Sequence, residues 1–203
     1  MYIDGFNLYY GAVRRTPYKW LNLHTLCTLL LPGYQIERIK YFTAHVQARP
    51  DDPDQSTRQQ TYLRALRTLP NLDIILGHFL TNEVSMRLVQ PPAAGSAFVR
   101  VIKTEEKGSD VNLAAHLLHD GHLGRYEAAV LLTNDSDLLE PVHMVRQDLG
   151  LSVGIINPHP HPSRVLVQQA SFVRQIRRGV LAVSQFPPTL TDAIGTFHKP
   201  SQW

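Results

Sequence analysis

Hydrophobic positions along this chain alternate between two periods, and the switches mark out its elements. Met1-Tyr2-Ile3 is a short apolar run ending abruptly at Asp4. Residues Tyr18 to Leu31 carry apolar side chains at roughly helical spacing and stop at Pro32-Gly33. Ile36 to His45 alternates and is rich in β-formers, which predicts a strand. After the Pro/Asp loop of residues 47–55, Ser56 or Thr57 is placed to cap a helix running through Leu69, with Leu72 to Leu80 as the next strand. Two β-rich runs, Val84 to Val89 and Ala97 to Ile102, flank a Pro/Gly segment and predict a hairpin. A helix over Asp110 to Leu118, a buried strand over Ala128 to Leu132, a helix over Leu138 to Leu149 and a final parallel strand over Val153 to Ile156 follow. Ser163 to Ile176 is expected to be one helix, with Val165, Leu166, Ala170 and Val173 on one side. The segment from Ser184 reads as irregular or a small hairpin, either packed on the domain of residues 1–183 or extended. Strands alternating with helices predict an α/β fold, with a parallel sheet covered on both faces and a hairpin insertion around residues 84–102.

Composition adds bounds. The 203 residues suffice for one domain with a substantial core, and the formal net charge of +3 permits a nucleic-acid partner without requiring one. The single Cys27 lies in an apolar stretch, so no internal disulfide can form and a buried thiol in a reducing compartment is expected. No segment approaches the ~20 apolar residues of a membrane span, and a cytoplasmic location is expected.

The candidate chemistry sits where apolar runs meet carboxylates. Asp4-Gly5-Phe6-Asn7 follows the first run, and Thr133-Asn134-Asp135-Ser136-Asp137 follows Ala128 to Leu132. Between them, Lys107-Gly108-Ser109-Asp110 opens a helix. Each aspartate has an ordinary reading as a turn or cap residue. In an open α/β sheet, however, the carboxyl ends of neighbouring strands converge, and carboxylates gathered there repel unless protons or a cation neutralise them. A hard divalent ion with oxygen ligands meets that need.

These three blocks, in this order and spanning about residues 2–157, resemble the signature blocks of the NYN domain family, PIN-like metal-dependent ribonucleases, and in particular its bacterial LabA-like and NicB-like branch. The resemblance implies a Rossmann-like sheet and an acidic pocket of Asp4, Asp110, Asp135 and Asp137 that binds Mg²⁺ or Mn²⁺ and hydrolyses RNA. By position, Asn7 would orient the first carboxylate or contact substrate, and Thr133 would offer its hydroxyl to a phosphate or metal-bound water. Ser109 and Asn134, inside the second and third blocks, are assigned with them to substrate contact. Many PIN nucleases carry another acid on an early helix, whereas Trp20 to Leu31 contains none. Glu105 or Glu106 can substitute, although a solvated turn is the commoner fate of such a pair.

Arg14 and Arg15, interleaved with Tyr9, Tyr10, Tyr18 and Trp20, suit a phosphate backbone and unpaired bases, and Lys107 lies three residues before Asp110. His116, His119 and His122 are read as solvent-facing or hydrogen-bonded side chains rather than as zinc ligands. The hairpin is a candidate homodimer edge. Two rival functions remain: a catalytically silent RNA- or protein-binding module, and a phosphatase of the Asp-x-Asp type, which Phe6 disfavours because it replaces the second acid.

Overall fold

The computed structural model describes residues 1–203. Its centre is β1 (Tyr2–Asp4), only three residues long but hydrogen-bonded on both sides. Around it runs a six-stranded, wholly parallel sheet. One wing holds β2 (Ile39–Thr43) and β3 (Leu72–Leu76); the other holds β6 (Ala128–Leu132), β7 (Ser152–Asn157) and β8 (Phe172–Gln175). The order β3-β2-β1-β6-β7-β8 is doubly wound, so chain direction across the sheet reverses between β1 and β6. The remaining strands, β4 (His78–Arg87) and β5 (Phe98–Lys107), pair only with each other, as do β9 (Thr189–Asp192) and β10 (Gly195–His198).

Period-two alternation sends successive strand residues to opposite faces. Tyr2, Leu131 and Ile155 join one apolar cluster, which packs Leu113 and Leu117 of α4 (Ser109–His122), Val142 and Val145 of α5 (Leu139–Gln147) and Leu166 of α6 (Arg164–Gln169). Their neighbours Ile3, Leu132 and Ile156 join the other, with Leu26 of α2 (Leu23–Leu30), Leu63 and Leu66 of α3 (Gln55–Leu66) and Leu181 of α7 (Arg178–Val183). Helices therefore cover both faces, as expected. The C-terminal segment packs on the second cluster: Trp20, wholly buried, has ring centroids 5.8 Å from Phe186, 6.4 Å from Phe197 and 6.3 Å from Trp203. Arg64 forks onto Asp192 with two 2.7 Å hydrogen bonds.

Several elements differ from the sequence pattern. The helix expected over Ser163 to Ile176 is α6 followed by β8, a sixth parallel strand in register with β7, so Val153 to Ile156 is not the last strand. Its ring Phe172 seats against Gly154, where any β-carbon would meet it at 2.2 Å. The strand expected over Leu72 to Leu80 breaks at Gly77, and β4 begins at His78, making the hairpin ten residues per strand rather than confined to 84–102. The expected early helix starts at Leu23, capped by the Asn22 side chain, instead of at Tyr18. Neither Ser56 nor Thr57 caps α3, which begins at Gln55. Cys27 is buried, and desolvation pushes its thiol up to about 12.

Candidate active site

The site lies where the sheet reverses direction, at the carboxyl ends of β1 and β6. Asp4 ends β1 and is only 3% exposed. It caps α1 (Gly5–Leu8), accepting the Asn7 amide N–H on Oδ1 at 2.9 Å, while Asn7 Nδ2 donates to Oδ2 at 2.7 Å. That second bond fixes the Asn7 amide, leaving Oδ1 to accept the Asn134 N–H and to lie 3.2 Å from His159 Nε2, which must be the donor. Gly5 is required by close approach, because a β-carbon there would meet the Tyr41 ring at 2.7 Å and the Phe42 carbonyl at 2.8 Å. Burial, reinforced by the Asp135 charge, outweighs the bonds from Asn7 and Thr133 and raises the Asp4 carboxyl above its usual range.

The loop after β6 reaches back to Asp4. Thr133, wholly buried, donates its hydroxyl to Asp4 Oδ2 and accepts the Asp135 amide N–H, both at 3.1 Å. Asp135 in turn accepts the Asp137 N–H and caps the short 3-10 turn Ser136–Leu138. The third acid arrives on α4. Gly108, at φ 96°, holds the cap position of that helix, and Glu106 receives both the Ser109 N–H (3.1 Å) and its hydroxyl (2.7 Å). Asp110, which had an ordinary reading as a cap, caps nothing. It lines the cleft half-buried, and desolvation followed by the charges of Asp4, Asp135, Glu106 and Asp137 raises it to about 6.

Asp4, Asp110 and Asp135 line one cleft of about 780 Å³ together with Asn7, Ser109 and Glu106. Phe6, Tyr9 and Phe79 give it apolar walls, and Lys19, Arg49 and Arg58 line it too. The other expected residues stand elsewhere. Asp137 is exposed and does not line the cleft, though its charge is felt at Asp110. The Thr133 hydroxyl donates to Asp4, and the Ser109 hydroxyl, although Ser109 lines the cleft, donates to Glu106. Asn134 holds the 161–163 loop, donating to the His161 carbonyl and accepting the Ser163 N–H. Lys107 faces Glu105 at 3.7 Å, outside the cleft. Arg14 lies over the Tyr10 ring, and Arg15 lines a separate shallow depression with Arg178.

Two features escaped the sequence, and a third, Glu106, stood there only as an alternative to Glu105. Glu106 enters the cleft while Glu105 pairs with Lys103 at 2.8 Å; strand alternation sends the two to opposite faces, because β5 runs on past the expected end at Ile102. His159, on the loop after β7, meets Asn7 Oδ1. The basic wall of Lys19, Arg49 and Arg58 has no motif. His116 lies 3.1 Å from Lys40 Nζ in a separate polar network.

Comparison with known proteins fits this geometry. The family model described as the NYN domain matches residues 1–176. The chain belongs to the NYN domain family. Membership covers the sheet, the three acidic blocks and all elements through β8. This NYN chain is also similar to 6-hydroxy-3-succinoylpyridine 3-monooxygenase HspA of Pseudomonas putida, with 32% identity over 232 aligned positions covering 100% of the chain and 74% of the relative. A solved structure of a protein of unknown function from Vibrio parahaemolyticus shares the fold, at a TM-score of 0.55 and 14% identity over 87% of this chain and 91% of that one. No helix of this NYN protein is long and apolar enough to cross a membrane.

Whether the site suits a divalent ion depends on its donors. No group of three or more His, Cys, Asp or Glu side chains is arranged to hold a metal, so the expected four-aspartate cage is not formed. Asp4 Oδ2 already accepts two hydrogen bonds, and Asp137 faces out. What remains is all oxygen: Asp110, without a structural task, and the second oxygen of Asp135. That set fits Mg²⁺ or Mn²⁺ held by one or two carboxylates, with water and substrate oxygens completing the shell, as Mg²⁺ commonly is.

Proposed function

We propose that this NYN domain is a metal-dependent ribonuclease that hydrolyses RNA phosphodiester bonds in the cleft between β1 and β6. The observation that carries this reading is Asp110: half-buried, unneeded as a cap, and raised to about 6 first by desolvation and then by the acids that line the cleft with it. An evolved fold does not gather repelling carboxylates for stability, and a hard cation is what relieves them.

Asp110 and Asp135 would hold the ion, which supplies a water of lowered pKa and neutralises phosphoryl oxygens. The chain's own residues do the rest. Asn7 and Thr133 lock the Asp4 carboxylate so that its charge faces the ion site without wandering. Glu106, anchored on Ser109, adds negative charge at the mouth of α4. Phe6, packed edge-on against Phe79 at 5.8 Å, and Tyr9 offer flat apolar surface for unpaired bases. No side chain in the cleft need act as a covalent nucleophile.

The test is incubation of the full chain with single-stranded and structured RNA, and with DNA, in Mn²⁺, Mg²⁺ or EDTA, beside Asp110→Asn and Asp135→Asn. RNA cleavage that needs the ion and disappears in both variants is the expected result. RNA binding without cleavage would instead make the domain a silent module.

A second reading follows from the relative's name, which describes oxygenation of a succinoylpyridine. Identity of 32% across the whole chain favours it, and a cleft of about 780 Å³ with aromatic walls lies within the range of small-molecule sites. Supplying 6-hydroxy-3-succinoylpyridine with O₂ and a two-electron reductant tests it directly. Hydroxylated product with intact RNA would move the assignment there.

A further inference from the structure

We propose that the basic wall of the cleft is an anion subsite, in which Arg58, supported by Arg49 and Lys19, receives a phosphate or carboxylate oxygen pair of the substrate. The inference deepens the ribonuclease reading and rests on it only in naming the anion a backbone phosphate.

Arg58 stands on the second turn of α3, its side chain 13% exposed. Its Nη2 reaches Asp52 Oδ2 at 2.5 Å, but its buried Nη1 has no acceptor. A desolvated guanidinium nitrogen without a partner costs free energy that an arriving oxyanion recovers, and the planar fork matches carboxylate and phosphate edge-on. The neighbouring Gln59 fixes where this group sits. It brackets the chain leaving β2, donating to the Ala44 carbonyl and accepting the Val46 N–H, both at 2.8 Å. Arg58 is thereby held at the carboxyl rim of β2, the strand whose Phe42 lies in register with Asp4. Lys19 and Arg49 line the same cleft, and Asp52 is the one carboxylate directly paired with Arg58. The cleft is thus lined by three cations of which only Arg58 is directly paired, with Asp52, besides its acidic group. A polyanionic or carboxylated substrate would be gripped at the basic wall while its reacting centre meets the acids.

The experiment measures equilibrium binding to the full chain in EDTA, so that no hydrolysis intervenes. Inorganic phosphate, succinate and a short single-stranded RNA are titrated calorimetrically into wild type, Arg58→Gln, Arg58→Lys and Asp52→Asn. Arg58→Gln is expected to weaken binding about tenfold or more, and Arg58→Lys to recover part of it. Asp52→Asn is expected to tighten binding, because it removes the competing carboxylate; this variant keeps the inference testable should Arg58→Gln fail to fold. Phosphate and RNA binding without succinate identifies a phosphate site, whereas succinate binding as well identifies a carboxylate site for a small acid. Equal affinities in wild type and Arg58→Gln, weaker binding in Asp52→Asn, or no binding of any probe would overturn it. Arg58-dependent binding without RNA cleavage in Mn²⁺ leaves the subsite standing and removes the ribonuclease reading; cleavage with Arg58-independent binding does the reverse.

Discussion

The Thr133 hydroxyl donates to Asp4 Oδ2 at 3.1 Å across the point where the sheet reverses direction, and Thr133 Oγ1 itself accepts the Asp135 N–H. One buried side chain therefore couples the acid of β1 to the acid after β6. Thr133→Val preserves shape and removes both bonds, leaving Asp4 buried with one donor fewer. The expected loss is about 1–2 kcal/mol at neutral pH by urea denaturation, and Thr133→Ser should restore most of it.

Asp110 makes stability depend on pH in a defined direction. Its folded-state value of about 6 lies above the unfolded value near 4, so its contribution is fully present below about pH 4 and is lost as pH rises through 6. Asp110→Asn should be more stable than wild type at pH 7 by about 1 kcal/mol, a figure discounted for solvent screening of a half-exposed group, and no more stable at pH 4. Denaturant titrations at the two pH values decide the point.

Mn²⁺ should raise the melting temperature of wild type at pH 7, and the effect should fade below about pH 6 as protons compete for Asp110. Asp110→Asn should show little of this shift at any pH. An equal shift in the variant would place the ion elsewhere.

At the opposite edge of the sheet, Asp120 is 3% exposed and binds Tyr2 at 2.7 Å, Lys40 at 2.5 Å and Arg125 at 3.1 Å. Burial alone would raise its carboxyl, but the Lys40 and Tyr2 hydrogen bonds and the Lys40 charge overcome that and hold it below the usual range. Its contribution is therefore present above the unfolded value near 4 and is lost only as pH falls through the lower folded one. Asp120→Ala strands Lys40 in the interior and should cost about 3–5 kcal/mol at pH 7, measured by chemical denaturation.

Gly5→Ala is a test of the first block as architecture. The added methyl meets the Phe42 carbonyl at 2.8 Å, and backbone yields less readily than a side-chain tip. A loss of about 1–3 kcal/mol is expected, with any RNA cleavage falling further because Asp4 is displaced. By contrast Ile102→Thr, on a hairpin residue 74% exposed, should change stability by less than about 0.5 kcal/mol.

Local signals were legible where one physical requirement dominated. Ala128 to Leu132 is buried on both faces, and its uniform apolar run marks the strand end to end. The acidic blocks were legible because each joins a strand or turn to a helix. Phe172 to Gln175 was not, since Val165, Leu166, Ala170 and Val173 mimic a helical stripe, and only pairing with β7 makes the last of them a strand residue. Glu106 could not be told from a solvated turn residue in the sequence, because its exposure depends on which hairpin face turns toward the sheet.

The sequence by itself determined the alternation of strands and helices, and with it the parallel sheet, because periodicity and turn chemistry are properties of neighbouring residues. It also marked Asp4, Asp110 and Asp135 as the residues at issue. Only the tertiary structure decided which acids share a cleft, that Asp137 turns outward, and that Thr133 and Ser109 spend their hydroxyls inside the protein. It alone brought Lys19, Arg49 and Arg58 to the same cavity. Hydrogen bonds and charges act through space, and segments far apart along a chain become neighbours only when the sheet sets their order.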